Sequence, residues 1–349
     1  IDNLERMIEE EINEYGYAKI LKLFAEGRLA YHLGEQTWHI FNGLHWQEDA
    51  GENAKHIAIQ TLLAVLTVLK VHKFKQLAEF DAAHTGEKLS EDDKEARAEI
   101  SDVLSDLGKI VLKVRAASTI KNTLLFAQAS EFLGVLGEKW DAQQSLLGVA
   151  NGVIDLETGN MVAPEPAQYI RTVSPTKFDK NATCPIFEKS IKEILDDDEE
   201  TVAYVQRLLG YAMSGTCHES DFFVWYGKDG RNGKEFILER VRSVLGGQLA
   251  GVVESELLLS SKSQRAKNSS TEALMTLRGR RIAWASETNE GRTLDNATMK
   301  DLSGGHILTG RHNHGRQEEW KRSHTLILLT NHKPHVAGGG GGAEWDRIK

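Results

Sequence analysis

Three apolar runs of strand length in the second half of the chain limit its fold more than any other feature. They span residues 222–226, 281–286 and 325–330, and helical or loop segments separate them. Buried strands that alternate with helices are typical of a mostly parallel sheet covered by helices on both faces. The sequence therefore predicts an α/β fold for this half of the chain.

The first half has a different pattern, in which helical apolar spacing dominates. A hairpin is predicted where residues 37–41 and 44–46 flank Asn42-Gly43, a dipeptide that accepts positive φ at both central positions of a tight turn. Two further short strands are predicted within residues 148–160, and helical spacing returns over 185–215. A mainly helical α+β region is thus expected to precede the α/β half.

Composition and length exclude few functions. The chain has 349 residues, of which 40% are hydrophobic and 27% are charged, as in ordinary globular proteins. No apolar stretch approaches the roughly 20 residues that span a bilayer, and the N-terminus has no signal-peptide pattern. The two cysteines, Cys184 and Cys217, lack the spacing of a metal or redox site. We expect a cytoplasmic protein with no membrane partner.

The distribution of charge matters more than the net charge of -9. The net value argues against nucleic-acid binding, and residues 196–200 form an unbroken acidic run. Residues 257–281, in contrast, carry one acid and six basic side chains: Lys262, Arg265, Lys267, Arg278, Arg280 and Arg281. Because local charge decides whether a phosphate backbone is attracted, this stretch keeps a nucleic-acid partner open.

The stretch YGKDGRNGKEFI at residues 226–237 joins the first apolar run to a helical run. A phosphate-binding loop needs glycines that turn backbone N–H groups toward phosphate oxygens, a lysine for the outer phosphates and a helix N-terminus behind them. The residues that supply or surround these groups are Gly227, Gly230, Arg231, Asn232, Gly233, Lys234 and Glu235. We predict that they bind a nucleotide.

This loop departs from the strict phosphate-loop pattern at two positions. Lys228 stands where the first glycine is expected, and Glu235 replaces the hydroxyl residue that normally ligates magnesium. A glycine-rich turn without a ligand is the alternative for the segment taken alone.

Polar residues also follow the other two apolar runs. Glu287 ends the second run and Asn331 follows the third, which places both at the carboxyl edge of a parallel sheet, where ligands bind. Glu287 can hold Mg²⁺ and orient an attacking water, and Asn331 can sense a γ-phosphate. Taken alone, Glu287 fits an ordinary acid at a strand end, and Asn331 fits an ordinary turn residue. Three strands that all end in such groups favour nucleotide hydrolysis.

Four segments, GRNGK, RIAWASETNEG, KDLSGGHILTGR and LILLTNHKP, together resemble the motif series of superfamily 3 helicases of the phage, plasmid and poxvirus primase-helicase type. Upstream, FNGLHW, LLGVANGVIDLETGN and YVQRLLGYAMSG are similar to the domain that precedes the helicase core in that family. The resemblance covers the chain from about Tyr17 to its end.

The resemblance implies a hexameric ring of AAA+-like subunits that hydrolyse ATP with Mg²⁺ and pull single-stranded DNA through a central channel. It implies that Lys234 holds the phosphates, that Glu287 is the acidic residue for magnesium and water, and that Asn331 is the sensor. Glu235 is a second candidate magnesium ligand. In WDRI, at residues 345–348, Arg347 would be the finger that reaches the neighbouring ATP site, although Asp346 stands where the family more often has arginine.

The segment from Lys300 to Arg311 matches the motif that leads into the channel hairpin of that family. We expect this hairpin between residues 307 and 320. The DNA contacts are then expected from Lys300, Arg311, His312, His314 and Arg316. A solvated surface is the alternative for Arg311 and Arg316, because Glu318 and Glu319 lie close by in the sequence.

The domains expected from the resemblance are an accessory domain over residues 1–184, a helical collar over 185–219 and a C-terminally truncated AAA+-like P-loop ATPase core over 220–349. The expected function is ATP-dependent DNA unwinding in phage or mobile-element replication, on single-stranded and forked duplex DNA. A primase domain is expected elsewhere in a longer polypeptide.

Two other functions stay open at this point. One is a ring-forming DNA-binding scaffold whose ATPase is impaired, and the other is a small-molecule P-loop kinase. A zinc site among the histidines of the last 44 residues is rejected on sequence grounds, because no cysteine lies nearby.

Overall fold

A computed structural model describes residues 12–86, 88–228, 230–258, 271–287, 293–305, 307–311, 317–336 and 345–349; for residues 271, 287 and 336 only the backbone is described. Two compact units divide the chain, Ile1–Trp140 and Asp141–Lys349. Both contain helices and sheets, so the predicted mixed α/β class is confirmed. The domain boundaries predicted at residues 184 and 219 stay predictions.

The described part of the first unit contains four helices and one four-stranded sheet. The helices are α1 (Glu14–Ala25), α2 (Asn53–Ala83), α3 (Glu91–Val114) and α4 (Ala117–Ala127). The strands are β1 (Leu29–His32), β2 (Thr37–Phe41), β3 (Trp46–Glu48) and β4 (Gly134–Val135), in the order β3-β2-β1-β4. Only the β1–β4 pair is parallel. The predicted predominance of helix in this region is confirmed.

The predicted hairpin forms, but its turn is longer than the sequence suggested. Phe41 pairs with Trp46, which leaves four loop residues between β2 and β3. Of these, Gly43 has a positive φ of 95°. The side-chain oxygen of Asn42 instead accepts hydrogen bonds from the N–H groups of Leu44 and His45, each at 2.9 Å. Asn42 therefore acts as a local cap, a role that asparagine also favours in turns.

Helix α2 buries one face and leaves the other exposed. Its buried side chains end at Leu69, whereas Val68, Val71 and Phe74 face solvent. By length and composition alone this helix could cross a membrane, and 33% of its most apolar stretch is buried inside the protein. The sequence did not predict such a stretch, because polar residues such as Thr61 and Lys70 interrupt the apolar residues of this helix. Its buried face belongs to the core of the first unit.

The second unit begins with a small sheet and a helical pair. The sheet contains β5 (Leu146–Val149), β6 (Gly152–Asp155), β7 (Asn160–Val162) and β8 (Val173–Ser174), in the order β7-β6-β5-β8. The helices that follow are α5 (Pro185–Ile194) and α6 (Glu199–Ser214). The helical pair was predicted from apolar spacing. Two short strands were predicted within residues 148–160, where the structure has parts of three, and β8 was not predicted.

The rest of the second unit is built on a four-stranded parallel sheet with the order β10-β11-β15-β9. Its strands are β9 (Phe223–Tyr226), β10 (Ala250–Val252), β11 (Ile282–Glu287) and β15 (Thr325–Thr330). The surrounding elements are α7 (Lys234–Leu245), α8 (Thr271–Met275), β12 (Thr293–Leu294), α9 (Asn296–Ser303), β13 (Ile307–Gly310), β14 (Glu318–Lys321) and β16 (His335–Val336). All three apolar runs form strands of this sheet.

Alternating side chains of the central strands enter two different cores. Ile282 and Trp284 of β11 pack with Leu208 of α6 and Leu238 of α7, and strands β5 and β6 contribute to the same core. The intervening Ala283 and Ala285 pack on the other face with residues of α9. Since successive strand residues point to opposite faces, the sheet is covered on both sides. This packing explains why β5 and β6 belong to the second unit.

Arg281 connects three parts of the second unit at the start of β11. Its guanidinium donates hydrogen bonds to the carbonyl oxygen of Met213 at 2.6 Å, of Ser214 at 3.3 Å and of Leu146 at 2.7 Å. The first two carbonyls end α6, where a positive charge is favourable. Burial lowers the pKa of Arg281 to about 10. The side chain remains a cation that fixes α6 and β5 against the sheet.

Candidate functional site

The carboxyl ends of three central strands meet at one edge of the sheet. Glu287 of β11 pairs with Thr330 of β15, and Thr330 pairs with Tyr226 of β9. The three polar segments predicted at strand ends are therefore adjacent in space. For Glu287 only the backbone is described, so its magnesium role stays a prediction.

Lys234 and Asn331 are in direct contact at this edge. The Lys234 ammonium donates hydrogen bonds to Asn331 Oδ1 at 3.1 Å and to the Gly227 carbonyl oxygen at 3.3 Å. Both side chains are half-buried, and burial lowers the pKa of Lys234 below its ordinary value. Among the described side chains, the acceptors of this cation are thus neutral oxygens that a phosphate can replace.

The glycines of the loop have separate structural roles. A Cβ on Gly227 would collide with the Asn232 amide and lie 3.0 Å from Lys234 Nζ, so glycine lets both groups approach the loop backbone. A Cβ on Gly230 would meet open space. Gly233 has a φ of 83° and Arg231 a φ of 62°, both in the left-handed region. The loop therefore folds back on itself before α7 begins.

The N-terminus of α7 provides donors for an anion. Gly233 is its N-cap and offers no side-chain hydrogen bond to the first turn. The first backbone bond of the helix runs from Ile237 N–H to the Gly233 carbonyl oxygen, 3.2 Å. Preceding N–H groups have no partner inside a helix, and the helix dipole favours negative charge there. Together with Lys234, these donors fit a polyphosphate.

Glu235 lies in the first turn of α7, and its side chain is exposed. An acidic residue suits a helix N-terminus when no anion is bound, but its charge opposes a phosphate at the same place. Within the described residues, no group of three or more histidine, cysteine, aspartate or glutamate side chains could hold a metal ion. Magnesium binding by Glu235 stays a prediction.

Arg347 lies at the opposite end of β9 from the loop. Phe222 N–H donates to the Arg347 carbonyl oxygen at 2.7 Å, and Val224 N–H donates to that of Lys349 at 2.8 Å. The tail thus runs parallel to β9 beside its first residues. Tyr226 lies four residue steps beyond Phe222, a distance of about 13 Å along the strand. Within one subunit, the structure does not bring Arg347 to Lys234 and Asn331.

Two strands lie where the channel hairpin was expected, β13 and β14, and they pair antiparallel from Ile307 to Lys321. Their role in a channel stays a prediction. The residues expected near the hairpin tip, His312, His314 and Arg316, lie outside the described residues. Arg311 is exposed at the end of β13, and Lys300 is half-buried in α9. Their contacts with DNA stay predictions.

The base of this hairpin is braced by the segment after α8. Arg278 forms an ion pair with Glu318 at 2.7 Å. A Cβ on Gly310 would lie 2.9 Å from the Met275 sulfur and 3.0 Å from the Trp320 ring, so these side chains press on the strand. Glycine is required at this position for close packing.

The basic stretch at residues 257–281 does not offer its described charges to solvent phosphates. Arg278 pairs with Glu318, Arg280 donates to the Val252 carbonyl oxygen at 2.9 Å, and Arg281 is buried. The other three, Lys262, Arg265 and Lys267, lie outside the described residues. Composition alone does not show whether a cluster of arginines binds acceptors inside the protein or the phosphates of DNA.

Two further side chains on the opposite edge of the sheet were not singled out by sequence. Arg322 donates to the carbonyl oxygens of Cys217 at 3.0 Å and Glu219 at 2.6 Å. His324 is fully buried, and burial, with the nearby Arg322 charge, lowers its pKa to about 3. The sequence signal that they share with Arg281 is a basic residue shortly before an apolar strand.

Comparisons with known proteins agree with the motif set. The profile of the family described as "D5 N terminal like" matches residues 18–196. Proteins named "Putative primase" from the Badajoz strain and the Namibian Warthog isolate of African swine fever virus are each 26% identical over 198 residues, which is 55% of this chain. The chain spans 20% of the length of these relatives.

Solved structures with some similarity include two apo forms of the NrS-1 C-terminal region. One has a TM-score of 0.37 and 15% identity over 50% of this chain and 38% of its own. The other has a TM-score of 0.34 and 13% identity over 48% of this chain and 38% of its own.

Proposed function

The chain belongs to the family described as "D5 N terminal like" and is of the primase-helicase type, and on this premise we propose that it is an ATP-dependent DNA helicase. The observation that carries this proposal is the contact between Lys234 and Asn331 at the strand ends, in front of the free N-terminus of α7. That arrangement supplies a cation, backbone donors and a polar side chain around one point.

In the proposed reaction, the β- and γ-phosphates of ATP replace the neutral oxygens that Lys234 now contacts. The loop glycines and the first N–H groups of α7 hold the phosphates in place. Asn331, released from Lys234, orients the attacking water toward the γ-phosphate. Positioning and charge stabilisation supply most of the catalysis in phosphoryl transfer.

Magnesium would neutralise the phosphate charge when it is bound with ATP. Glu287 would hold it from the end of β11, directly or through water, because carboxylate oxygens are preferred magnesium ligands. Glu235 is the second candidate ligand, at the position where a hydroxyl residue is usual. Its additional negative charge beside the phosphates is expected to weaken nucleotide binding.

The position of Arg347 supports action between subunits. Since Arg347 lies beside the first residues of β9, it is remote from the loop of its own subunit. A guanidinium supplied by a neighbouring subunit can stabilise the charge that develops on the transferred phosphoryl group. We therefore propose a homo-hexameric ring in which each Arg347 completes the site of its neighbour.

The hairpin formed by β13 and β14 would contact single-stranded DNA in the central channel, and a forked duplex would be unwound as the strand is pulled. The proposed phosphate contacts are Lys300, Arg311, His312, His314 and Arg316. Cationic contacts of this kind are independent of sequence, as a translocating motor requires. We place the protein in the cytoplasm, with a primase domain in the same full-length polypeptide.

DNA-stimulated phosphate release is the direct test of this function. We expect hydrolysis to rise with single-stranded DNA and to fall by about 100-fold or more in Lys234→Ala, because charge stabilisation at the phosphates is lost. Release by the parent protein no greater than that of Lys234→Ala would reject the motor. Mass photometry with an ATP analogue and an oligonucleotide tests the ring, since a monomer under all conditions would exclude the role of Arg347.

A ring-forming DNA-binding scaffold is the second candidate, and Glu235 is the observation that favours it. A carboxylate at the usual hydroxyl position could impair hydrolysis while leaving assembly intact. A scaffold would form the ring and bind single-stranded DNA in a salt-dependent manner, but it would release no phosphate above the Lys234→Ala background. The same two assays therefore separate the candidates.

A further inference from the structure

Ile194, the last residue of α5, lies directly over the loop glycine that precedes Lys234. A Cβ on Gly233 would lie 2.5, 2.7 and 2.9 Å from three side-chain carbons of Ile194. Real Cβ atoms do not approach so closely, so only glycine leaves room for this contact. Gly233 also needs glycine for its φ of 83°. Two separate constraints thus meet at one residue of the loop.

A tight turn holds Ile194 in this position. Asp196 and Asp197, which follow it, have φ values of 53° and 56°. Left-handed residues other than glycine cost about 1 kcal/mol each and persist only where surrounding contacts enforce them. Asp197 N–H donates to the Lys192 carbonyl oxygen at 2.8 Å, and Asp198 caps α6 through the N–H groups of residues 200 and 201. The end of α5 is therefore fixed relative to α6.

Helix α6 is in turn fixed to the central sheet. Leu208 and Ala212 enter the core that contains Trp284 of β11, and Arg281 binds the last carbonyls of α6. Ile194 therefore belongs to a helical pair, α5 and α6, that is held against the same sheet as the loop. The contact joins the segment matched by the family profile, which ends at residue 196, to the phosphate loop.

Gly233 controls the direction of the groups that would face the phosphates. Its carbonyl oxygen accepts the first hydrogen bond of α7, from Ile237 N–H, and Lys234 follows it directly. A change in the Gly233 backbone would rotate the first N–H groups of the helix and the Lys234 side chain together.

We propose that Ile194 is a positioning residue for the phosphate loop. By packing on Gly233, it holds the loop and the first turn of α7 in the arrangement that binds nucleotide. Nucleotide affinity thereby depends on the placement of the α5–α6 helical pair. This inference rests on the proposed nucleotide function, and it adds a residue that does not itself touch the phosphates.

Truncation of Ile194 tests the proposal through binding and kinetics. In Ile194→Ala, we expect a fluorescent ATP analogue to bind about tenfold more weakly, because the loop loses its support. KM for ATP should rise by a similar factor, and kcat should change less than threefold. Ile194→Val, which keeps a branched side chain, should recover most of the affinity. Binding by Ile194→Ala within twofold of the parent protein would overturn the proposal.

Ile186 provides a matched control on the same helix. Its side chain is 83% exposed, so Ile186→Ala removes the same atoms without touching the loop. We expect nucleotide affinity within twofold of the parent. If Ile186→Ala weakened binding as much as Ile194→Ala, the effect would belong to helix α5 in general, and the specific role of Ile194 would be rejected.

A double-mutant cycle separates positioning from general loss of stability. Gly233→Ala alone should weaken nucleotide binding strongly, because the new methyl group collides with Ile194 and the backbone is left-handed. In the Ile194→Ala background the collision is removed, so the same substitution should cost at least threefold less binding. Equal losses in both backgrounds would show that the two residues are not coupled, and would overturn the proposal.

Lys234→Ala distinguishes failure of this inference from failure of the function. If the parent binds the ATP analogue and Lys234→Ala does not, the nucleotide site stands, and the Ile194 variants alone decide the inference. If the parent does not bind the analogue with Mg²⁺ present, the nucleotide site and the positioning role are both rejected.

Discussion

The two edges of the central sheet use positive charge in opposite ways. At the carboxyl edge, the Lys234 ammonium is half-buried and contacts two neutral oxygens, those of Asn331 and Gly227. At the amino edge, Arg281 is buried and donates to three carbonyl oxygens of other elements. The first cation has partners that a ligand can replace, and the second has partners that hold the fold. Exchangeable contacts distinguish the edge of the proposed nucleotide site more clearly than charge alone.

The largest effect is expected from removing the structural cation. Arg281→Met should lower the free energy of unfolding by about 3 kcal/mol, because buried carbonyl oxygens lose their donors. Denaturant titration measures the loss. Arg207→Met, at an exposed arginine of α6, should change stability by less than about 0.5 kcal/mol. Equal stability of the two variants would show that the hydrogen bonds of Arg281 do not stabilise the fold.

His324, at the same amino edge, is expected to make the stability of the protein depend on pH. Its pKa of about 3 in the fold lies below the value of about 6.5 expected in the unfolded chain. The unfolded state therefore binds more protons between these values, and stability falls as the pH decreases below 6.5. The loss from pH 7 to pH 5 should be about 2 kcal/mol.

Thermal or denaturant unfolding of His324→Phe at both pH values checks this assignment, because the variant should lose that part of the pH dependence. His56→Gln, at an exposed histidine of the first unit, should keep it. An unchanged pH dependence in His324→Phe would assign the effect to other groups.

At the carboxyl edge, Asn331 is a neutral partner of Lys234 that can be replaced by a charged residue. Asn331→Asp would place a carboxylate about 3 Å from the Lys234 ammonium. The carboxylate would pair with the ammonium and repel phosphates. We expect about tenfold weaker ATP binding in this variant. Asn331→Ala, without the charge, should bind ATP more tightly than Asn331→Asp in isothermal titration. Equal affinities of the two variants would show that partner charge is unimportant.

The smallest effect is expected at Glu235. Removing its charge in Glu235→Ser should strengthen ATP binding about three- to fivefold, since one exposed charge near the phosphates contributes about 1 kcal/mol. Glu239→Ser, one turn further along α7, provides the control and should bind within twofold of the parent. Equal or weaker binding by Glu235→Ser would contradict the expected repulsion.

The sequence was most informative where its pattern is local. The apolar runs predicted the central strands. Because these strands are parallel, their carboxyl ends lie at one edge, and Lys234 and Asn331 lie together there. The family assignment depended on several short motifs taken together, none of which is decisive alone.

Contacts between distant segments were not accessible in the same way. Arg281 binds Leu146 across 135 positions of sequence, and nothing in the local pattern around either residue indicates this. The partners of Arg278 and Arg280 in the basic stretch could not be predicted for the same reason, because Glu318 and the Val252 carbonyl are remote in sequence. The packing of Ile194 on Gly233 likewise requires knowing where the end of α5 lies.

The tail that pairs with β9 also affects solubility. β9 is the outermost strand of its sheet, and residues 347–349 satisfy the N–H groups of Phe222 and Val224 that would otherwise be open. An open strand edge recruits strands from other molecules. The segment that carries Arg347 therefore shields the protein from edge-to-edge aggregation, so deleting it to test the finger would also create a self-associating surface. Substituting the arginine side chain alone leaves that shield in place.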